Sequence, residues 1–322
     1  MITLADEIIA GRRLNKNDDL SLLVNADLEE LCQGADKIRK ELCGNKMDLC
    51  SIINGRGGRC SENCKFCAQS AHHHTNCDNY GFLDQEQLME GCDHAYKQGI
   101  NRYSIVTAGR TMEGADLEKA ISAYQAMHEA YPDMILCASH GLMKGEDLKR
   151  LREAGVTMYH ANVETSERFF PQICTTHTYE DKKTEIRLAK EAGLTICSGG
   201  ILGMGETWED RIDMALFLAE LEVSSIPLNF LIPIPGTPLE HVEKLTPDEI
   251  TRIVAILRYI NPTAYIRLAA GRSYFEDGGE RLFRAGANAT LTGDMLTTVG
   301  NNTTQDREML SAMGFQLKPK QE

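Results

Sequence analysis

The chain has 322 residues, 42% of them hydrophobic and 25% charged, and a formal charge of −13. That length suits one large barrel or two ordinary domains, and an acid excess of this size argues against nucleic acid as a partner. No apolar run approaches the roughly 20 residues of a membrane span, and the N-terminus has early acids and no apolar signal core. Eleven cysteines in such a chain read as reduced thiols and metal ligands rather than disulfides, so a cytoplasmic protein is expected.

Residues 1–46 read as a helical N-terminal extension. Leu28, Leu31, Ile38 and Leu42 recur at helical spacing, with Asp27 as N-cap and Gly44 near the stop. From 47 to 322 short β-like runs alternate with amphipathic segments. The predicted strands are 47–53, 102–107, 134–139, 157–163, 194–198, 224–231, 264–268 and 288–291. The predicted helices between them are 84–98, 115–130, 144–154, 179–192, 208–221, 247–260 and 276–284, with a last helix over 306–313. Eight strands, each followed by a helix, predict an α/β fold of the (β/α)8 TIM-barrel type. Chemistry in such barrels sits on the loops after the strands.

The loop after the first strand carries Cys60-x3-Cys64-x2-Cys67, led in by Gly55, Gly57 and Gly58. Three thiolates on one loop can hold three irons of a 4Fe–4S cube and leave the fourth iron open. This spacing is the one radical S-adenosylmethionine (SAM) enzymes use, where SAM chelates the open iron. A zinc knuckle completed by His72, His73 or His74 is the alternative. After the fifth strand, Gly199, Gly200, Gly203 and Gly205 allow close approach of backbone to a ligand, and Thr207 is set to cap the next helix.

Cys50, Cys137, Cys197 and Arg267 fall on predicted strands one, three, five and seven. Barrel interiors fill in layers drawn from alternate strands, so these four are expected to converge on the axis. A buried arginine needs a partner, and an anionic thiolate–sulfide cluster is one, so a second Fe–S cluster is expected there. Cys32, Cys43, Cys77, Cys92 and Cys174 read as background.

With both cysteine sets in view, the chain resembles the biotin synthase family over about residues 40–315. The resemblance rests on CSENCKFCAQS at 60–70, TICSGGILGMGET at 195–207, SIPLNFLIPIPGTPL at 225–239 and AYIRLAAGR at 264–272. It implies a radical SAM (β/α)8 barrel, usually a homodimer, fed by a reductant such as flavodoxin or ferredoxin. It implies sulfur insertion into dethiobiotin, with an auxiliary Fe–S cluster consumed as donor. By matching positions, Phe66, Asn162, Glu164 and Lys182 are expected at SAM, and Asn162 and Asn229 at the dethiobiotin ureido ring.

The chain departs from the familiar pattern at several positions, among them Glu164 in the place of an aspartate and Lys182 where relatives usually have an arginine. Strand four reads Tyr159-His160-Ala161-Asn162 where relatives carry a YNHN-type segment. Ser104 stands where the familiar 2Fe–2S auxiliary site has a second-strand cysteine. Cys50 stands where those enzymes have a first-strand serine. The expectation is therefore a different auxiliary cluster on Cys50, Cys137, Cys197 and Arg267, of a 4Fe type with one iron free for an extra sulfide. Two rival readings are a radical SAM enzyme with no sulfur donor and a non-catalytic Fe–S carrier.

Overall fold

The computed structural model describes residues 1–293 and 302–321. Three helices come first, α1 (Ile2–Ile9), α2 (Ser21–Asn25) and α3 (Leu28–Cys43). The next elements are β1 (Asp48–Arg56), α4 (Gln85–Lys97), β2 (Arg102–Thr107), α5 (Gly114–Ala130), β3 (Ile135–Ser139), α6 (Gly145–Glu153), β4 (Val156–His160) and α7 (Tyr179–Glu191). Then come β5 (Thr195–Cys197), β6 (Gly200–Leu202), α8 (Trp208–Glu220), β7 (Ser225–Phe230), α9 (Pro247–Ile260), β8 (Tyr265–Leu268), α10 (Glu280–Arg284), β9 (Ala289–Leu291) and α11 (Thr303–Ala312).

All strand pairings are parallel, in the order β5-β4-β3-β2-β1-β9-β8-β7-β6. Cys197 of β5 also pairs with Ser225 of β7, and this closes the sheet into a barrel. β5 falls within the expected fifth strand at 194–198, and β6 follows it beyond a two-residue break outside that range; together they make one stave, so the barrel has eight. The break has a steric cause. A Cβ on Gly199 would stand 2.0 Å from the Pro227 carbonyl oxygen, and one on Gly200 would stand 2.4 Å from that of Glu164. Only glycine lets the chain cross from β4 to β7 this closely. The glycine segment read as a loop is therefore partly strand.

The helices follow their capping chemistry. Asp84, Thr178, Thr207 and Thr246 each close a reciprocal capping box at the start of α4, α7, α8 and α9. Asp27 caps α3 as expected, by accepting from the Glu30 amide. The predicted helix over 276–284 starts late, at Glu280. Gly278 and Gly279 hold φ of +67° and +87°, which no helix admits. α3 packs along α9 and against α1, and its end reaches the turn before β8, where the Arg258 guanidinium donates to Cys43 Sγ at 3.3 Å. No helix among the described residues is long and apolar enough to cross a membrane.

Candidate active site

One cavity of about 420 Å³ occupies the barrel beneath the loops that follow the strands. All twelve residues singled out from the sequence line it: Cys60, Cys64, Cys67, Cys50, Cys137, Cys197, Arg267, Phe66, Asn162, Glu164, Lys182 and Asn229. A volume of that order suits a pocket for small ligands, about 300–1,000 Å³.

Strand alternation makes the inner layer. Cys50 lies on β1, Cys137 on β3, Cys197 on β5 and Arg267 on β8, the first, third, fifth and seventh staves. All four are buried. Ser104 on β2 lies beside Cys137 and bonds to its thiol. Burial pushes the Cys50 thiol up to about 11 and raises Cys137 and Cys197 as well, and the arginine charges only partly offset it. A cationic metal centre binding these thiols would displace their protons. Three soft sulfurs facing one space fit an Fe–S group.

Arg267 already has a carboxylate partner that the sequence reading missed. Its guanidinium pairs with Asp48, bonds the Asp48 and Thr290 carbonyls at 3.2 Å each, and donates to Ser225 Oγ at 3.3 Å. Asp48 also takes Arg102 Nε at 2.7 Å. Burial alone would raise the Asp48 carboxyl, but Arg267 and Arg102 outweigh it and hold the group below the usual carboxylate range. Two arginines over one aspartate leave a net positive charge under the three thiols. That charge suits an anionic cluster without requiring Arg267 as a ligand.

The outer thiols sit on a loop stitched across the barrel mouth. Cys67 donates its amide to the Cys64 carbonyl at 3.0 Å, and Cys60 donates to Gln69 at 2.8 Å. Cys60, Cys64 and Cys67 are free, half-buried thiols, a donor set suited to a cluster with one open iron. His72 and His73 bond the Ser61 and Cys67 carbonyls at 3.0 and 2.9 Å, which orders the loop. Cys174, read as background, is at the site: its Sγ lies 3.7 Å from Cys64 Sγ and 3.2 Å from His177 Nδ1. The Cys64 S–H and His177 hold Cys174 below the ordinary thiol range, and Cys64, as the donor, is raised.

Polar groups ring the mouth. Asn162 Oδ1 accepts from the Gly199 amide at 3.0 Å, and its Nδ2 faces Glu164 Oε2 at 3.3 Å. Burial raises the Glu164 carboxyl. Glu164 holds φ of +69°, an uncommon conformation for a side-chain-bearing residue, where its carbonyl accepts from the Ile201 amide at 2.8 Å. Lys182 is committed to Glu185 at 2.5 Å, a partner the sequence reading did not identify. Asn229 is anchored through Gly200 and Ala270 at 3.4 and 3.3 Å. His160, noted only as a departure, also lines the cavity, and burial pulls its imidazole down to about 4.

Comparison with known proteins places this geometry. Residues 56–218 match the radical SAM superfamily, and residues 227–316 match the Biotin and Thiamin Synthesis associated domain. The chain is 60% identical to a biotin synthase of Clostridium beijerinckii over 98% of its own length and 100% of that protein. It is also 60% identical to one of Alkaliphilus metalliredigens over 98% of each. Among solved structures, methylornithine synthase superposes with a TM-score of 0.84 at 22% identity, over 98% of each chain. A maturase of the FeFe-hydrogenase superposes at 0.81 and 15% identity, over 98% of this chain and 75% of its own. At such identities these two structures speak for the fold alone.

Proposed function

The chain belongs to the biotin synthase family of radical SAM enzymes, and from that premise we propose how its own residues divide the work. The reaction is sulfur insertion that converts dethiobiotin to biotin. Cys60, Cys64 and Cys67 hold the 4Fe–4S cluster that binds SAM. Cys50, Cys137 and Cys197 hold an auxiliary cluster of a 4Fe type, with Arg267 and Arg102 as its counter-charge. When bound, the outer cluster and SAM supply a carbon-centred radical able to take hydrogen from an unactivated carbon, and the auxiliary cluster supplies the sulfide.

The protein's share is positioning and dryness. Asn162 and Asn229 each offer a donor and an acceptor, which matches a ureido group. Both amides are fixed by backbone bonds, so they orient the substrate between the two thiol sets. Val106, Ile201, Leu231 and Ile234 line the same space and exclude water from the reacting carbon. Lys182 and Glu164 serve the SAM carboxylate and ribose, and Lys182 turns from Glu185 to do so. Flavodoxin or ferredoxin is the class of reductant, the working form is a homodimer, and the compartment is the cytoplasm.

The observation that carries this reading is the shared cavity: three loop thiols and three strand thiols line one space, with two arginines at its inner end. The test is anaerobic iron and sulfide analysis with Mössbauer spectra, before and after turnover with SAM and dethiobiotin. The proposal expects about eight irons per chain, with biotin formed and sulfide lost. About six irons with a ferric 2Fe–2S signature would refute the 4Fe auxiliary cluster. Unchanged iron in reconstituted Cys50→Ser would remove Cys50 as a ligand.

A further inference from the structure

We propose that Cys64, Cys174 and His177 form a mononuclear site for a thiophilic divalent cation, Zn²⁺ or Fe²⁺, which fills when the 60–67 loop carries no cluster. The ligand atoms of these three lie within 4.8 Å of one another. The spacing suits one metal ion. A tetrahedral centre with metal–sulfur bonds of about 2.3 Å separates two sulfurs by about 3.8 Å. Cys64 Sγ and Cys174 Sγ are 3.7 Å apart. The same centre sets sulfur and an imidazole nitrogen about 3.6 Å apart, and the two ring nitrogens of His177 stand 3.2 Å (Nδ1) and 3.8 Å (Nε2) from Cys174 Sγ, on either side of that value. Thiols that bind different irons of a cube stand much farther apart than this pair.

The surroundings are built for a ligating histidine. Glu62 Oε2 accepts from His177 Nδ1 at 2.6 Å, and Arg110 holds the same carboxylate oxygen at 3.2 Å. That carboxylate holds the ring in place, as an outer partner of a ligating histidine does. The Phe170 ring packs edge-on against the imidazole at 5.6 Å. Asn63 Oδ1 accepts the Thr175 and Thr176 amides at 2.9 and 3.2 Å, and Lys65 donates its amide to Ile173 at 2.9 Å. The two segments that carry the ligands are thereby locked together before any ion arrives. Three protein ligands leave a fourth position for water.

Cys64 belongs to both sets, so the single ion and the SAM-binding cluster exclude each other. The site works as a holding position for an ion ahead of cluster assembly. It is read out in the cluster-free chain with the metal alone, so its failure is separable from failure of the catalytic reading.

The test uses the full-length chain, stripped by chelator under anaerobic, reducing conditions and titrated with Co²⁺ as the probe. Beyond whatever Cys50, Cys137 and Cys197 take up, the wild type should bind one equivalent with tetrahedral d–d bands and the charge-transfer intensity of two thiolates, which Zn²⁺ displaces. Cys174→Ser, Cys174→Ala and His177→Gln should each weaken that equivalent by at least about tenfold, the loss that even an outer partner of a ligand produces. Cys60→Ser and Cys67→Ser should retain it. Zn²⁺ should slow cluster reconstitution in the wild type and do so less in Cys174→Ser, which still assembles its SAM-responsive cluster. The proposal is overturned if the equivalent survives both Cys174 variants, if it disappears in Cys60→Ser or Cys67→Ser, or if Zn²⁺ slows reconstitution equally with and without Cys174.

Discussion

Replacing Asp48 by asparagine keeps the shape at the inner end of the cavity and removes the charge between two arginines. Asp48 is 5% exposed and carries Arg102 Nε at 2.7 Å as well as the Arg267 guanidinium. At an effective dielectric of 20, each pair at about 4 Å between charge centres attracts by about 4 kcal/mol. Repulsion between the arginines and the cost of stripping water from three ions offset much of that sum. What survives is the loss on breaking a buried pair, about 3–5 kcal/mol. The folded-state carboxyl lies below its ordinary value of 3.8. Its contribution is therefore complete above that ordinary value and is lost as pH falls through the lower folded-state value. Urea unfolding of the cluster-free chain measures both effects. At pH 7 the midpoint of Asp48→Asn should fall sharply, and the gap to wild type should narrow on acidification below pH 3.8. An unchanged midpoint at pH 7, or a gap that widens in acid, would refute the reasoning.

Other expectations concern single contacts. Cys60→Ser, Cys64→Ser or Cys67→Ser should each cost about four irons per chain and abolish the spectral response of the reduced protein to SAM. Gly199→Ala forces a Cβ to 2.0 Å from the Pro227 carbonyl, so it should lower stability by about 1–3 kcal/mol, or more, and disturb iron loading at neighbouring Cys197. Thr207→Ala removes the capping box of α8 and should cost about 1 kcal/mol, read as a fall in Tm, with no change in iron content. Lys182→Met should weaken SAM binding about 10–100-fold, the worth of a charged hydrogen bond of about 1.5–3 kcal/mol. SAM affinity within twofold of wild type would remove Lys182 from the site.

The barrel and its inner layer were legible because strand periodicity is rigid. Alternate staves of a barrel fill one interior layer, so Cys50, Cys137, Cys197 and Arg267 were expected together once the strands were assigned. The counter-charge was not read, since a lone aspartate at the start of a strand resembles an ordinary polar edge. Two arginines at inward positions, Arg102 and Arg267, were the available sign that a carboxylate had to be near. Cys174 was missed because it meets Cys64 across 110 residues of chain. Its pairing with His177 three positions on was the local hint, at a spacing that places two ligands on one turn. The division of the fifth strand depends on how closely two neighbouring backbones pass Gly199 and Gly200, and no pattern within that strand encodes it.

That both thiol sets share one cavity has a consequence for upkeep. The strand thiols and the loop thiols line the same cavity, the first from β1, β3 and β5 and the second from the loop after β1, and a group reaching the strand thiols from the mouth would pass the loop thiols. Whatever enters last must leave first. If the proposed inner cluster is spent as sulfur donor, its repair would have to wait until product and SAM had both gone, and a cell rich in SAM would keep the door shut against its own repair crew. Slow recovery between turnovers would then be set by traffic through one opening rather than by the chemistry at either end.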